Sequence, residues 1–371
     1  MPYLTAPPKP AAAPTTDGRA ERPLRLLMVA SVVLPLIIFG IAGWISYNQH
    51  MADATDRLQR TVATMQEHAI KVFETFAISE RYMEEIFNDV PAAEIAEHEE
   101  EYSARLRNFF RTLPQLRDLW VIDANGRPLV SGTVYPMPRN LALADRDYFR
   151  AHVNNGRVDG NVETYISGVV EARAANTNFF AITRKRMTSA GAFDGVYLVS
   201  IAPEYFTQYY SQFPQSDITV AGLTRADGTT LARFPATPAG TRAPAESPIM
   251  RAIAVSPERG VTSGTSSIDG SKRILAYRKL PAQDVHVYAA INEATIRADW
   301  LKDMSAHLVF GIPATLTMLA LAMMTLRHTR RESDAYAQLR EETARRAATE
   351  QALRQAQKME AVGRLTGRHR A

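Results

Sequence analysis

Two uncharged apolar runs limit what this chain can fold into. LLMVASVVLPLIIFGIAGWI fills residues 26–45 and LVFGIPATLTMLALAMMTL fills residues 308–326. A stretch of about 20 apolar residues is what crossing the hydrocarbon core of a bilayer requires. The first run is longer than the apolar core of a signal peptide, and no small-x-small cleavage site follows it, so a retained anchor is expected. Trp44 and Tyr47 stand at its far end, where amphipathic rings prefer the interface. Arg19, Arg22 and Arg25 precede the first run, and Arg327, Arg330 and Arg331 follow the second. Basic flanks on the outer sides of both predict a two-pass membrane protein. Both ends would lie in the cytoplasm and residues 48–303 outside it.

A length of 371 residues leaves room for two or three domains. The chain has no cysteine, which excludes disulfides and thiolate metal sites. Its net charge is +4, but residues 1–25 carry +2 and residues 327–371 carry +5, so the part between them is acidic at −3. A nucleic-acid partner is therefore not expected. No Gly-rich phosphate loop, H-E-x-x-H or G-x-S-x-G is present, and the eight histidines are scattered. Neither a metal site nor catalysis outside the membrane is predicted.

Beyond the first run, apolar or small residues recur in steps of four and three: Met51, Thr55, Leu58, Val62, Met65, Ala69, Val72, Phe76, Ser79, Met83, Ile86 and Val90. This heptad stripe predicts one long helix that packs on a sheet, on a second copy of itself, or on each at different heights. The acidic run Glu97 to Glu101 reads as a solvated face, and His98 within it has no partner at metal-ligand spacing.

After Leu116 the period changes to two. Residues 119–130 read as strand, Asn-Gly turn, strand, and residues 220–231 as strand, Asp-Gly turn, strand. A short helix is expected after each hairpin, over 145–154 and 247–255. Further strands follow at 178–187 and 195–201, then at 273–279 and 285–291. The order hairpin, helix, strands thus occurs twice, which predicts an α+β chain with two stacked α/β modules, distal about 116–212 and proximal about 213–295.

Several pieces occur in one order: Leu116 to Gly126, Asp145-Arg146-Asp147-Tyr148-Phe149-Arg150-Ala151-His152, Ile182 to Arg186, Phe193-Asp194-Gly195-Val196 and Pro203-Glu204-Tyr205-Phe206. Together they resemble a double Cache sensor domain, the PAS-like extracytoplasmic fold of many bacterial sensor kinases, across residues 48–300. The resemblance implies a small-molecule ligand in the distal module, with Arg146, Tyr148, Tyr165, Arg184 and Arg186 as the ligand-binding candidates. Tyr165 is expected in the segment that covers the sheet. Arg184 and Arg186 share one face of an alternating strand, and two guanidinium forks suit a carboxylate or phosphate, so an anion or an amino acid is expected. The competing expectation is structural: Asp145 caps the helix, and Arg146 and Arg184 pair with Asp145 or Asp147.

The tail after Arg331 is rich in Ala, Glu, Arg and Gln, and Glu341–Arg345, Glu342–Arg346 and Glu350–Arg354 are i, i+4 pairs in the favourable order. A helix is expected, either simply solvated or a signalling helix with weak pairing, because Leu339 and Leu353 as core positions put Arg346 and Glu350 in the seam. Residues 357–367, QKMEAVGRLTG, resemble the opening of the dimerisation and phosphotransfer helix of sensor histidine kinases. In that family the stretch continues G-[IV]-A-H-D-F-N-N, with the histidine as phosphoacceptor. Here Arg368-His369-Arg370-Ala371 stands instead, and His369 is two positions early. One extra base accounts for this: GGC GGC ATC GCG CAT GAC with a C inserted after its first codon reads Gly-Arg-His-Arg-Ala and then stop.

The expected organisation is a disordered cytoplasmic segment 1–25, spans at 26–46 and 304–326, a double Cache domain at 47–303, a signalling helix over 327–367, and an out-of-frame tail at 368–371. The resemblance makes the chain the input half of a homodimeric two-component kinase. Its response regulator, ATP and Mg2+ belong to the intact family, and no cofactor is expected in this chain. The alternative is a stand-alone Cache receptor that acts through a partner membrane protein.

Overall fold

The computed structural model describes residues 17–154, 157–158, 162–174 and 177–366. It divides into two units, Tyr47–Trp300 on the one hand and Met1–Ser46 with Leu301–Ala371 on the other. Two long helices run through both. Helix α1 covers Asp17–Phe87, and α7, the last helix, covers Glu293–Thr366. The segment expected to be disordered up to residue 25 is thus helical from Asp17 onward. Residues 1–16 and 367–371, with the sequence feature noted at 368–371, lie outside the described residues.

The two apolar runs lie inside α1 and α7, and both helices are long and apolar enough to cross a membrane. Their side chains face outward without protein cover: Leu36 is 65% exposed and Phe310 80%. Uncovered apolar surfaces of this length are what a lipid bilayer would cover. Pro313 lies inside α7 and has no N–H to donate, while Thr315 and Thr317 return hydroxyl bonds of 2.8 Å to the carbonyls of Gly311 and Pro313. Farther along α7, Arg345 pairs with Glu341 at 2.7 Å and Arg346 with Glu342 at 2.9 Å.

In the unit Tyr47–Trp300, α1 is followed by α2 (Ala92–Glu97) and α3 (Glu99–Phe110). Then comes a five-stranded antiparallel sheet built from β1 (Leu116–Asp123), β2 (Pro128–Ser131), β5 (Thr164–Glu171), β6 (Asn178–Met187) and β7 (Phe193–Ile201), in the order β2-β1-β7-β6-β5. Between β2 and β5 lie the single-turn helix α4 (Asp147–Arg150) and a small hairpin, β3 (Val153–Asn154) with β4 (Arg157–Val158). Helix α5 (Pro203–Tyr210) leads to a second sheet of β8 (Val220–Arg225), β9 (Thr230–Phe234), β10 (Arg259–Thr265), β11 (Lys272–Lys279) and β12 (Val285–Asn292), with α6 (Pro248–Val255) inserted after β9.

Read from its hairpin edge, the second sheet runs β9-β8-β12-β11-β10, the same order as the first with each strand replaced by its counterpart. The repeat extends to single bonds. Gly126 and Gly228 sit at positive φ (77° and 88°) in the two tight turns, where L side chains are strained. The carbonyl of each accepts a bond from the strap that returns across the sheet, from Leu143 N at 2.8 Å and from Ala243 N at 2.9 Å. A side chain at either glycine would strike that strap, with the nearest atoms 2.7 and 2.6 Å from a Cβ. Strand β6 has the predicted bounds. Strands β5 and β10 and helices α2, α3 and α5 had no clear periodic signal.

The central part of the α1 stripe is buried as the spacing predicts, but its ends slip. Ala54 and Phe87 are buried where Thr55 and Ile86 were expected. From Ala54 through Leu58, Val62, Met65, Ala69, Val72, Phe76, Ser79 and Met83 to Phe87, nine steps cover 33 residues. That is close to the ~3.6 period of a straight helix and not the 3.5 of a supercoiled seam. The stripe joins one hydrophobic core with Leu119, Val121, Phe180 and Val199 of the first sheet and Ala221, Leu223, Ile274 and Val287 of the second. The acidic run is not wholly solvated either. Glu99 is 5% exposed, and its carboxylate accepts the Met137 amide and lies 3.5 Å from Arg139. An acid at the start of α3 also faces the positive end of that helix.

Because the stripe packs on the sheets, Met65→Ala should cost the Tyr47–Trp300 domain about 2–5 kcal/mol. Ile78→Ala, on the 55% exposed side, should stay within about 0.5 kcal/mol. Denaturant unfolding followed by circular dichroism compares the two.

Candidate functional site

Strand parity sorts the functional side chains. On β6, Phe180 and Ile182 join the core under α1, whereas Phe179 and Ala181 belong to a separate apolar cluster on the other face. On β7, Tyr197, Val199 and Ile201 face α1, and Val196 and Leu198 face away. A cavity lies on the face away from α1, roofed by the strap and α4. Trp120, Leu143, Tyr148, Phe179 and Leu198 form its apolar wall, and Arg117, Asp118, Thr133, Arg173 and Ser200 bring polar groups to it.

Four of these polar groups, those of Arg117, Asp118, Thr133 and Arg173, have explicit anchors. Arg173 makes a forked pair with Asp145 at 2.8 and 2.5 Å and reaches the Ala142 carbonyl, tying the β5–β6 connection to the strap. That fork holds the Asp145 carboxyl down at about 2. Arg117 pairs with Glu204 at 2.7 Å. Asp118 is buried and accepts the Leu119 and Gly132 amides at 2.7 and 3.0 Å and the Ser131 hydroxyl at 2.6 Å, with Thr133 donating as well. Burial raises its pKa, and those four donors pull it back. Asp118 therefore holds the β1–β2 edge in shape and has little capacity left for a ligand. Burial pushes the Tyr148 hydroxyl up to about 12, so it stays a neutral donor.

Of the five residues predicted for the site, only Tyr148 lines this cavity. Arg184 and Arg186 do share a face, but it is the one packed under α1. Arg184 pairs with Glu80 of α1 and, at 2.9 Å, with Glu163. Arg186 is 1% exposed, pairs with Asp194 at 2.8 Å and donates to the Val90 carbonyl. Alternation fixes that the two agree, while only the packing of α1 fixes which side they take. Arg146 takes the N-cap position of α4, which spans 147–150 rather than the predicted 145–154, and its guanidinium bonds the Glu171 carbonyl at 3.0 Å. Asp145 is committed to Arg173 instead of capping.

Tyr165 lies on strand β5 rather than in the cover. Its hydroxyl donates to Asp147 at 3.3 Å and accepts from Arg225 of the second module at 3.3 Å, and the Arg225 guanidinium stands 5.2 Å from its ring centre. Arg117 and Arg173, which sequence reading missed, carry no periodic signal. Arg173 sits in a connection, and Arg117 faces the cavity only because the register slips between Leu116 and Asp118.

Residues 203–290 match the family model described as dCache_1_like, histidine kinase sensor domain. Among solved structures, the extracellular domain of a protein described as a histidine kinase, rpHK1S-Z16, is 26% identical. The match covers 67% of this chain and 99% of that one, with a TM-score of 0.57. The unit Tyr47–Trp300 has the Cache-like fold, and residues 203–290 within it carry the sensor-domain match. A second such extracellular domain, soHK1S-Z6, shares the fold at 10% identity, 68% and 99% coverage and a TM-score of 0.51. The ligand-binding domain of the Campylobacter jejuni chemoreceptor Tlp3, in complex with L-valine, matches at 12% identity, 68% and 98% coverage and a TM-score of 0.46. No curated protein matches the chain. Among the described residues of the Cache unit and the helices flanking it, no cluster of His, Asp and Glu could hold a metal ion.

The Cache domain's Arg184–Glu80 pair lends itself to a pH test. Burial raises the Glu80 pKa and Arg184 lowers it, with burial the larger effect. Arg184→Met should raise it further and destabilise the fold at neutral pH. A carboxyl whose folded pKa exceeds its unfolded value binds its proton more tightly when folded, so stability rises as pH falls through that pKa. Melting curves at pH 7.5 and 5.5 should show the Arg184→Met deficit shrinking on acidification.

Proposed function

We propose that the chain is the input half of a membrane-bound sensor histidine kinase, and that its distal Cache module binds a small amphipathic molecule bearing a carboxylate. The observation that carries the ligand reading is the roofed cavity whose apolar wall is bordered by the Arg117 and Arg173 guanidiniums. A guanidinium fork matches a carboxylate, and an aromatic wall takes an apolar body. Both arginines already hold acidic partners on other elements, Asp145 on the strap and Glu204 on α5. An incoming carboxylate would compete for those guanidiniums and change how the roof is held, which is a differential contact of the kind a sensor needs.

In this reading α1 and α7 each cross the membrane once, near 26–46 and 304–326, with the Cache domain outside and both ends in the cytoplasm, as the basic flanks require. The QKMEAVGRLTG stretch supports the kinase over a stand-alone receptor. Homodimerisation and a response-regulator partner belong to this proposal too.

The test is a thermal-shift screen of the full chain in nanodiscs against amino acids and small organic acids, followed by titration calorimetry of the hits. Arg173→Ala and Trp120→Ala should each weaken the hit about tenfold or more, as the loss of a charge-assisted bond or a ring contact does. Arg184→Met, on the far face, should change affinity less than about twofold. A hit indifferent to both cavity variants would overturn the assignment.

A further inference from the structure

The second module has a cavity of its own, between its sheet and the cover made by the strap, α6 and the β10–β11 turn. It occupies the same place in the repeat as the distal cavity, but its charges are arranged differently. Two arginines reach its wall, Arg233 at 8% and Arg273 at 9% exposure. Arg273 is neutralised: it forks onto the Asp269 carboxylate, with one arm at 2.9 Å, and donates to Asn292 at 2.7 Å. Arg233 has only uncharged acceptors, the Pro235 carbonyl at 3.0 Å and the Tyr288 hydroxyl. Among the described residues no carboxylate lies within ion-pair distance of it.

A buried guanidinium without a counter-charge is costly, and an anion relieves that cost. A second observation points the same way. Ser247 is 6% exposed at the cavity wall, and its hydroxyl has no hydrogen-bond partner among the described residues. It stands at the N-cap of the eight-residue α6 but makes no cap bond, and Pro248 follows it. The positive end of α6 is thus left without a side-chain acceptor beside a buried cation. Val220, Leu275 and Ala290 make the rest of the sheet wall apolar.

We propose that this proximal cavity is a second ligand site, for a short aliphatic monocarboxylate whose carboxylate sits between Arg233 and Ser247 and whose carbon tail lies on the apolar wall. The site is independent of the distal one. Its arginine is free of acidic partners among the described residues, whereas both distal arginines must exchange theirs.

The probes are sodium acetate, propionate and butyrate, titrated into the full chain in nanodiscs at constant ionic strength against sodium chloride. Binding is read by ligand-observed NMR and by thermal shift. Saturable binding of at least one of them is expected. Arg233→Met should weaken it at least tenfold and Ser247→Ala about threefold or more, while the distal Trp120→Ala leaves it within twofold. Arg233→Met should also melt no lower than wild type without carboxylate, because it removes an uncompensated charge. If Arg233→Met does not fold, Ser247→Ala and Trp120→Ala still decide the matter. No saturable binding of any of the three acids would overturn the second site, as would binding indifferent to Arg233→Met and Ser247→Ala, or binding lost on Trp120→Ala alone. The last result would leave the distal assignment standing, and loss of distal binding alone would leave this one standing.

Discussion

The fold of the sensor domain depends on the buried stripe of α1. An antiparallel sheet can leave one face to solvent but must cover the other. Here a single helix covers one face of two separate sheets. From Leu58 to Phe87 its inward positions are essentially inaccessible, and they share one core with strands of both modules. The helix therefore fixes more than stability. By taking one face of each sheet it leaves the other for a cavity, and so decides which residues of every strand can meet a ligand.

That division explains the different chemistry of the two cavities. The modules share strand order, turn glycines and the strap bond to each glycine carbonyl. Their cavities occupy the same place in that repeat. In the distal one the guanidiniums of Arg117 and Arg173 are held by Glu204 and Asp145. In the proximal one Arg273 is held by Asp269 and Arg233 by neutral oxygens. The shared backbone supplies the space, and a few side chains supply the specificity.

The modules also touch through polar contacts. Tyr165 of β5 links Asp147, beside the cavity residue Tyr148, to Arg225 of β8, which also bonds the Ile166 carbonyl at 2.8 Å. Arg225 in turn lies 3.2 Å from Asp227 in the proximal turn. His68 of α1 stacks with Tyr205 and Tyr209 of α5, with ring centres 5.4 and 3.7 Å away, so the connection between modules also packs on the long helix. Burial and the nearby Lys71 lower the His68 pKa, which keeps that stack neutral near pH 7.

Local chemistry made much of this legible in advance. Uncharged length marked the two long apolar helices, period-two alternation marked β1, β6, β7, β11 and β12, and Asn-Gly and Asp-Gly marked the two hairpin turns. The recurrence of hairpin, helix and strands marked the repeated module. These signals depend on neighbours in sequence, and the backbone realises them wherever the chain goes. The face on which Arg184 and Arg186 lie was of another kind, because alternation shows that two residues agree but not which way they face. Docking of α1 decided that, and with it turned the two arginines from ligand candidates into partners of Glu80, Glu163 and Asp194. The carboxylates that hold Arg173 and Arg117 are 28 and 87 residues away in sequence. Only the tertiary fold brings such groups together, so the composition of each cavity was decided there.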